Sequence, residues 1–235
     1  MTPDTPRRHF HDELDRLQDS LLEMAGIAER IVALAAEGVL TRDRTVSRKV
    51  IAEDDRVDEL EVSIDELAVE LLALQQPMAR DLRLIIATLK VSNDLERAGD
   101  HGVNMARAAK RLAKLPPLPD LPEVAEMADM ARGMLSDAMA CFVARDTTRA
   151  REICLRDDRV DNLRESLFRI LVTHMLEDPR RISPALELLL ITQNLERIAD
   201  LATNIAEDVV FLVEGRTIKH NVQDSDSEDE VAGEA

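Results

Sequence analysis

Apolar residues recur along most of the chain in alternating steps of four and three, the spacing that places them on one face of an α-helix. Six such stripes follow one another, at residues 10–38, 46–74, 82–103, 124–141, 150–174 and 182–213. A helix of about 30 residues is about 45 Å long. Narrow apolar seams on helices of this length are typical of bundles, so the pattern predicts six long helices packed side by side.

A proline-rich segment, residues 115–122, divides the chain near its middle. Four prolines within seven residues end any helix there and predict a stiff linker. On this division, residues 7–114 form a first unit and residues 123–216 a second, each with three of the predicted helices.

The two units repeat each other. The segment Asp-Asp-Arg-Val-Asp at 54–58 recurs at 157–161, an offset of 103, and Leu-Glu-Arg at 95–97 recurs at 195–197, an offset of 100. Because insertions fall in loops, the three-residue difference places a helix–helix turn beside Pro77 and another at the equivalent place in the second unit. The sequence therefore predicts an all-α fold of two tandem three-helix bundles of long antiparallel helices, produced by an internal duplication.

Composition supports the helical fold and limits the function. Aromatic residues are 2% of the chain, with no Tyr or Trp, which argues against β-sandwiches and barrels. The net charge is −17, and it is still −11 (41 acids against 30 bases) without residues 221–235, an acidic stretch predicted to be a disordered tail. So acidic a protein is a poor partner for nucleic acid. No apolar run reaches the roughly 20 residues that span a bilayer, so we expect a cytoplasmic protein that does not insert into the membrane.

Carboxylates interrupt the apolar seams at equivalent positions in both units. These residues are Asp54, Glu96 and Asp100 in the first unit and Asp157, Glu196 and Asp200 in the second, with Asp58 and Asp161 on the margins of the seams. Residues four apart lie one turn apart on one helix face. Each unit is therefore expected to direct about three carboxylates, from two neighbouring helices, towards its own interior.

Buried carboxylates are costly, and three arrangements would relieve that cost. The seam could open to solvent, metal ions could occupy each cluster, or arginines could pair with the acids, the candidates being Arg56, Arg97, Arg159 and Arg197. A di-iron site of the ferritin type is excluded because there is no Glu-x-x-His motif, and oxygen ligands alone favour Mg²⁺, Mn²⁺ or iron. Asn104 and Asn204, one turn beyond the aspartates, are candidates to support such sites.

Two further features have open interpretations. Arginines stand where the third helix of each unit begins, at Arg80, Arg83, Arg180 and Arg181, where they could meet a phosphate or an acidic partner or simply be solvated. His101 follows Asp100 directly, so it points away from the carboxylate face and is expected on the surface or against a partner.

Several motifs together resemble the PhoU family of bacterial phosphate-signalling regulators. They are Leu-Gln-Gln-Pro at 74–77, Asp-Leu-Arg-Leu-Ile at 81–85, Asn-Asp-Leu-Glu-Arg at 93–97 followed by Asp-His at 100–101, Asn-Leu-Glu-Arg-Ile-Ala-Asp at 194–200, and Val-Glu-Gly at 213–215. The resemblance covers about residues 7–220, which is all but the acidic tail.

The resemblance implies a regulator that acts with a phosphate-specific ABC transporter and a membrane sensor histidine kinase. Such a protein keeps phosphate-starvation genes off when phosphate is plentiful, restrains phosphate uptake and commonly forms homodimers. The resemblance also implies divalent or trivalent metal ions (iron, manganese, magnesium or zinc) at a Glu/Asp-x-x-x-Asp motif. That motif maps onto Asp54 and Asp58, Glu96 and Asp100, Asp157 and Asp161, and Glu196 and Asp200.

One position departs from the family pattern. Gly99 in the first unit becomes Ala199 in the second, which predicts a tighter or differently occupied second site. The leading hypothesis is thus a non-enzymatic adaptor with metal ions in each bundle. One alternative is a metal-free helical scaffold with the same role, its acids paired with Arg97 and Arg197. The other is a carboxylate-bridged metalloenzyme, against which the lack of histidine ligands argues.

Overall fold

The computed structural model describes residues 5–75 and 77–218, and within them the chain is helical and contains no β-strand. The helices are α1 (Thr5–Thr41), α2 (Val46–Gln75), α3 (Ala79–Leu112), α4 (Pro122–Ala144), α5 (Thr147–Glu177) and α6 (Ile182–Glu214), with a short 3₁₀ turn at Pro179–Arg181. The predicted all-α fold of two tandem three-helix bundles is confirmed. The predicted disordered tail, residues 221–235, lies outside the described residues.

In each bundle a short turn beside a proline joins the second helix to the third, as the offset between the repeats predicts. In the first bundle the turn lies between Gln75 and Ala79 and includes Pro77. In the second bundle the Asp178 side chain accepts a hydrogen bond of 3.0 Å from the backbone N–H of Arg180. This bond satisfies a donor that the start of the turn leaves without a partner.

The apolar stripes form the core of each bundle. α1 packs on α2 and α3, and α4 packs on α5 and α6. Leu17 and Ile31 of α1 and Met134 of α4 are among the large side chains that are almost completely buried. No helix in the described part of the chain combines the length and apolarity that a bilayer crossing requires.

Small residues on α3 let its neighbours come close. Ala98, Gly99 and Gly102 are buried, and α3 packs on α1, α2 and α6 at once. A Cβ atom placed on Gly102 would lie only 2.5 Å from Cγ2 of Ile31. The close approach of α1 and α3 therefore depends on the absence of a side chain at position 102.

α3 and α6 lie side by side and antiparallel, and they join the two bundles. Towards one end Lys90 Nζ donates to Asp208 Oδ1 at 2.7 Å, and towards the other Arg111 Nε donates to Glu187 Oε1 at 2.7 Å. Asp208 is only 3% exposed, and a carboxylate so deeply buried needs a charged partner. The interface between the bundles thus has fixed polar contacts as well as apolar packing.

His101 belongs to this interface, so it lies neither free on the surface nor against a separate partner, the two places expected for it, but against α6 of the same chain. Its Nδ1 lies 3.0 Å from Oδ1 of Asn194 on α6, and the side chain is half-buried. Burial lowers the pKa of His101. The sequence placed His101 correctly away from the carboxylates, but it could not show that α6 covers this side of α3.

α1 and α4 end in the same way, at repeat-equivalent arginines. Arg42 and Arg145 both have a left-handed backbone with φ of 55°. Nη2 of Arg42 donates to the carbonyl oxygens of Leu112 and Leu115. The last carbonyls of a helix have no partner within it, so Arg42 ties the end of α1 to the end of α3 and to the start of the linker.

Candidate metal-binding carboxylate clusters

Two clusters of carboxylates lie one in each bundle, where its second and third helices meet. Cluster 1 comprises Asp54 and Asp58 of α2 with Glu96 and Asp100 of α3. Asp54 and Glu96 are half-buried, and Asp58 and Asp100 are exposed. The charges of Asp58 and Asp100 act on both half-buried carboxylates. The fold therefore brings together the four residues that the sequence assigned to the first site.

Burial and like charge raise the pKa values in cluster 1. The pKa of Asp54 is raised to about 6, first by burial and then by Asp58 and Asp100. The pKa of Glu96 is raised to about 7 by burial, then by Asp100 and Glu61. Carboxylates that repel one another in this way are stabilised by a nearby cation, so the cluster is electrostatically suited to one.

Cluster 2 comprises Asp157 and Asp161 of α5 with Glu196 and Asp200 of α6, the equivalent place in the second bundle. The pKa of Asp157 is raised to about 6 by burial, then by Asp200 and Asp161. The pKa of Asp200 is raised to about 6 by burial, then by Glu196 and Asp161. In each cluster the acids that raise these values come from the same bundle, so the two clusters are separate sites.

The prediction that the carboxylates point into the bundle interiors is wrong. Asp100 and Asp200 are exposed, and Asp54, Glu96, Asp157 and Glu196 are only half-buried. Each third helix packs against three neighbours at once, so its buried face is wider than one seam and is turned away from the carboxylate stripe. Both clusters are consequently open to solvent, which is one of the three arrangements considered.

Most of the arginines proposed to neutralise the clusters pair elsewhere. Arg56 pairs with Glu23 and Glu59, Arg159 with Glu126, and Arg97 with Asp94. Arg197 lowers the pKa of Asp200, but burial and the neighbouring acids outweigh it. In this conformation none of Arg56, Arg97 and Arg159 has an ion pair with a carboxylate of the clusters.

Sequence reasoning missed one position that distinguishes the clusters. Glu61 of α2 raises the pKa of Glu96 and has a hydrogen bond from Asn93. The repeat-equivalent residue in α5 is Arg164, whose Nε lies 3.7 Å from Oε1 of Glu196. The sequence could have identified Glu61, because it lies on the same helix face as Asp54 and Asp58. At this position cluster 1 therefore has an additional carboxylate beside it, and cluster 2 has an arginine.

The space beside the clusters also differs. A Cβ atom on Gly99 would lie 3.1 Å from Oδ1 of Asp54, so the bare glycine leaves room for that carboxylate. Ala199 stands at the equivalent position in cluster 2. This is the difference from which a tighter or differently occupied second site was predicted, and the occupancy itself stays a prediction.

Cluster 2 borders a cavity of about 420 Å³ that also receives side chains from the first bundle. Its lining includes Asp157, Asp200, Asn204, Thr203 and Arg97. Within the described residues, Oγ1 of Thr203 is buried and has no hydrogen-bond partner. Asn204 is thus placed beside its cluster. Asn104 is exposed, and the supporting role of both asparagines stays a prediction.

We predict that the metal-free chain loses stability as the pH rises. The pKa values of Asp54, Glu96, Asp157 and Asp200 are raised on folding, so the folded state binds more protons than the unfolded state. Their stabilising contribution is complete below about pH 4 and is lost as the pH passes through 6 to 7. After allowance for solvent screening, we expect the free energy of unfolding to fall by about 1–2 kcal/mol between pH 5.5 and pH 8. Urea unfolding in chelator at the two pH values measures this difference.

The double variant Asp54→Asn, Asp157→Asn is the control for this effect. It should show a flatter pH dependence than the native chain. The lowered pKa of His101 acts in the opposite sense, but it is common to both proteins and drops out of the difference between them. Equal slopes for the two proteins would contradict the raised pKa values.

Comparison with known proteins shows one consistent likeness. Residues 21–109 and 124–209, one segment in each bundle, match the family model of the PhoU domain. A protein of Clostridium acetobutylicum named phosphate-specific transport system accessory protein PhoU homolog is 34% identical over 216 residues, 92% of this chain and 99% of that protein. A protein of the same name from Rhizobium meliloti is 38% identical, over 88% of this chain and 87% of its own.

Solved structures agree with this likeness. The crystal structure of PhoU from Pseudomonas aeruginosa superposes with a TM-score of 0.86 at 38% identity, covering 88% of this chain and 100% of that one. The phosphate transport system regulatory protein PhoU from Streptococcus pneumoniae superposes with a TM-score of 0.81 at 26% identity, covering 88% and 98% of the two chains.

Proposed function

The chain belongs to the PhoU family, and from this premise we propose that it is a cytoplasmic accessory and regulatory protein of a phosphate-specific ABC transporter. In this role it conveys the state of the transporter to a sensor histidine kinase, keeps phosphate-starvation genes off when phosphate is plentiful, and restrains phosphate uptake. One observation carries the proposal: relatives named as accessory proteins of that transport system align with about nine-tenths of the chain, across both bundles.

We further propose that each carboxylate cluster holds multivalent metal ions. Asp54, Asp58, Glu96 and Asp100 would supply the oxygen ligands in cluster 1, and the equivalent residues would do so in cluster 2. The donor set fits, because carboxylate oxygens suit Mg²⁺, Mn²⁺ and iron and because burial and repulsion among the acids of cluster 1 outweigh the nearby charge of Arg107. Gly99 fits as well, since its missing Cβ leaves the carboxylate of Asp54 free beside α3.

Metal binding would require the carboxylates to turn. In residues 5–75 and 77–218 no three His, Cys, Asp or Glu side chains are already placed to hold one ion. Asp58 and Asp100 are exposed, so their rotamers change without disturbing the core. A bound ion would reverse the local charge of the cluster and so change what that surface attracts.

The protein is proposed to act by binding rather than by catalysis. The named relatives are accessory proteins, and the carboxylates of both clusters are assigned here to holding ions and shaping a surface. In the second bundle Arg164 already lies close to Glu196, which favours a metal-free version of the same adaptor as the second candidate for that half. Association of two copies into a homodimer belongs to the same proposal.

Deletion of the gene tests the regulatory role. Phosphate-scavenging genes are expected to be expressed in phosphate-rich medium, because the signal of phosphate sufficiency no longer reaches the kinase. Transcript levels of a phosphate-starvation gene, measured at high phosphate, give the readout. Expression of the native chain from a plasmid should restore repression. Repression that persists in the deletion strain would refute the regulatory proposal.

A further inference from the structure

A second charged site lies at the end of the molecule where α3 begins and α4 and α6 end. It is a pocket of about 200 Å³ lined by Arg80, Arg83 and Arg145, with Asp81 and Leu212 also in its wall. We call it the arginine pocket. From Arg83 to Glu96 is 13 residues of helix, about 20 Å, so the pocket is distinct from both carboxylate clusters.

Among the described residues, no carboxylate neutralises the three arginines of the pocket. In the described part of the chain none of the three has a carboxylate oxygen within 4.0 Å, and the one side-chain hydrogen bond they make is from Arg83 to a backbone carbonyl. The chain carries 47 acids against 30 lysines and arginines, so acidic partners are abundant elsewhere. Three cations around one pocket, with a single acid in its wall, repel one another unless an anion joins them.

Comparison with the first bundle explains why Arg145 faces the pocket. Its repeat equivalent, Arg42, donates to the carbonyl of Leu112 at the end of α3. The equivalent carbonyl at the end of α6 belongs to Leu212, and it accepts a hydrogen bond from Nε of Arg83 at 3.3 Å instead. Arg83 therefore holds the carbonyl that Arg145 would otherwise take, and the guanidinium of Arg145 is left in the pocket.

At the opposite end of the molecule, where α6 begins, the equivalent arginines are paired with acids. Arg180 is the repeat equivalent of Arg80, and its Nη2 lies 3.0 Å from Oδ2 of Asp178. The next residue, Arg181, pairs with Glu177 at 2.9 Å. The two repeats thus differ: the arginines at the start of α6 pair with acids, and those at the start of α3 do not.

We propose that the arginine pocket binds a phosphate group, either free inorganic phosphate or the phosphate of a small ester. Guanidinium groups match phosphate oxygens with two parallel hydrogen bonds each, and three of them supply the charge. The volume equals that of about seven water molecules, enough for one phosphate group. An adjoining apolar hollow shares Leu84, Arg145 and Leu212 with the pocket, and an ester would place its organic part there.

Calorimetric titration of the full chain in chelator tests this proposal, because the chelator prevents metal ions from carrying the anion. Inorganic phosphate and a nucleoside 5′-monophosphate are titrated separately, with chloride balancing the ionic strength. We expect saturable binding at or below about 1 mM. A tighter dissociation constant for the monophosphate would identify the ester as the ligand, and equal or weaker binding would identify free phosphate.

Variants at the pocket provide the specific test. Arg80→Ala removes an exposed cation, and Arg145→Gly removes the second side chain while suiting the left-handed backbone at that position. Each should weaken phosphate binding about tenfold or more, whereas Arg180→Ala, the equivalent change at the paired end, should leave it unchanged. Thermal unfolding confirms that each variant is folded.

Three results would overturn the proposal. The first is the absence of saturable binding of either phosphate ligand to the native chain. The second is the same dissociation constant in the native chain, Arg80→Ala and Arg145→Gly. The third is displacement of phosphate by a glutamate-rich peptide that binds more tightly, which would assign the pocket to carboxylates of a protein partner.

Discussion

Replacing Glu96 and Glu196 together with Gln is expected to remove the bound metal from the purified protein. A carboxamide keeps the size of the side chain but loses the charge that holds a multivalent cation. Elemental analysis of protein purified without a His-tag, native and variant, measures the metal directly. The native chain should contain stoichiometric iron, manganese, magnesium or zinc, and the variant should contain little or none.

The same variant should change stability in opposite directions with and without metal. In chelator it should be more stable than the native chain at pH 8 by about 1 kcal/mol, because the burial and the repulsion that raise the pKa of Glu96 no longer act on a charged side chain. With metal added, the native chain should gain stability and the variant should not. A merely structural role for Glu96 would not produce this reversal.

Glu165→Gln is the matched control for this experiment. Glu165 lies on α5 and is exposed, and among the described residues its one ion pair is with Arg169 one turn away, so its replacement removes a carboxylate outside both clusters. Metal content equal to that of the native chain is expected. If the native chain contains no metal, or the double variant keeps it, the clusters are not metal sites and the adaptor function must operate with open, hydrated acids.

Gly102→Ala is expected to destabilise the first bundle by about 2 kcal/mol, with a fall in Tm of about 4–8 °C. The new Cβ would lie 2.5 Å from Cγ2 of Ile31 and 3.5 Å from the backbone of α1. Neither neighbour is the free end of a flexible side chain, so α1 and α3 must move apart. Ala202 stands at the equivalent position of the second bundle, which shows that the demand for glycine is specific to the first.

Gly133→Ala separates this steric effect from the general preference of helices for alanine. A Cβ on Gly133 of α4 meets nothing within 4 Å, so this change should raise stability by about 0.5–1 kcal/mol. Combining Gly102→Ala with Ile31→Ala should cost less than the sum of the two single changes, because the clashing methyl is then absent. An unchanged Tm for Gly102→Ala would show that α1 and α3 can separate freely.

The sequence by itself determined the six helices, the duplication and the pairing of carboxylate motifs between neighbouring helices. Helical periodicity is a local property, so the stripes from residue 10 to residue 213 could be identified without a fold. The repeat offsets of 103 and 100 located the turns because an insertion between helices leaves the helices themselves unchanged. Residues four apart share a helix face in any context, which is why Glu96 and Asp100 were placed together correctly.

The tertiary structure alone decided which way those faces point and what each charge meets. α3 packs on three helices at once through Ala98, Gly99 and Gly102, and this orientation leaves Glu96 half-buried and Asp100 exposed instead of placing them in the core. Contacts of this kind join residues far apart in the chain, and periodicity along one helix contains no information about them. Two hydrogen bonds also depend on contacts between residues far apart in the chain. One joins His101 to Asn194, and the other joins Arg83 to the carbonyl of Leu212.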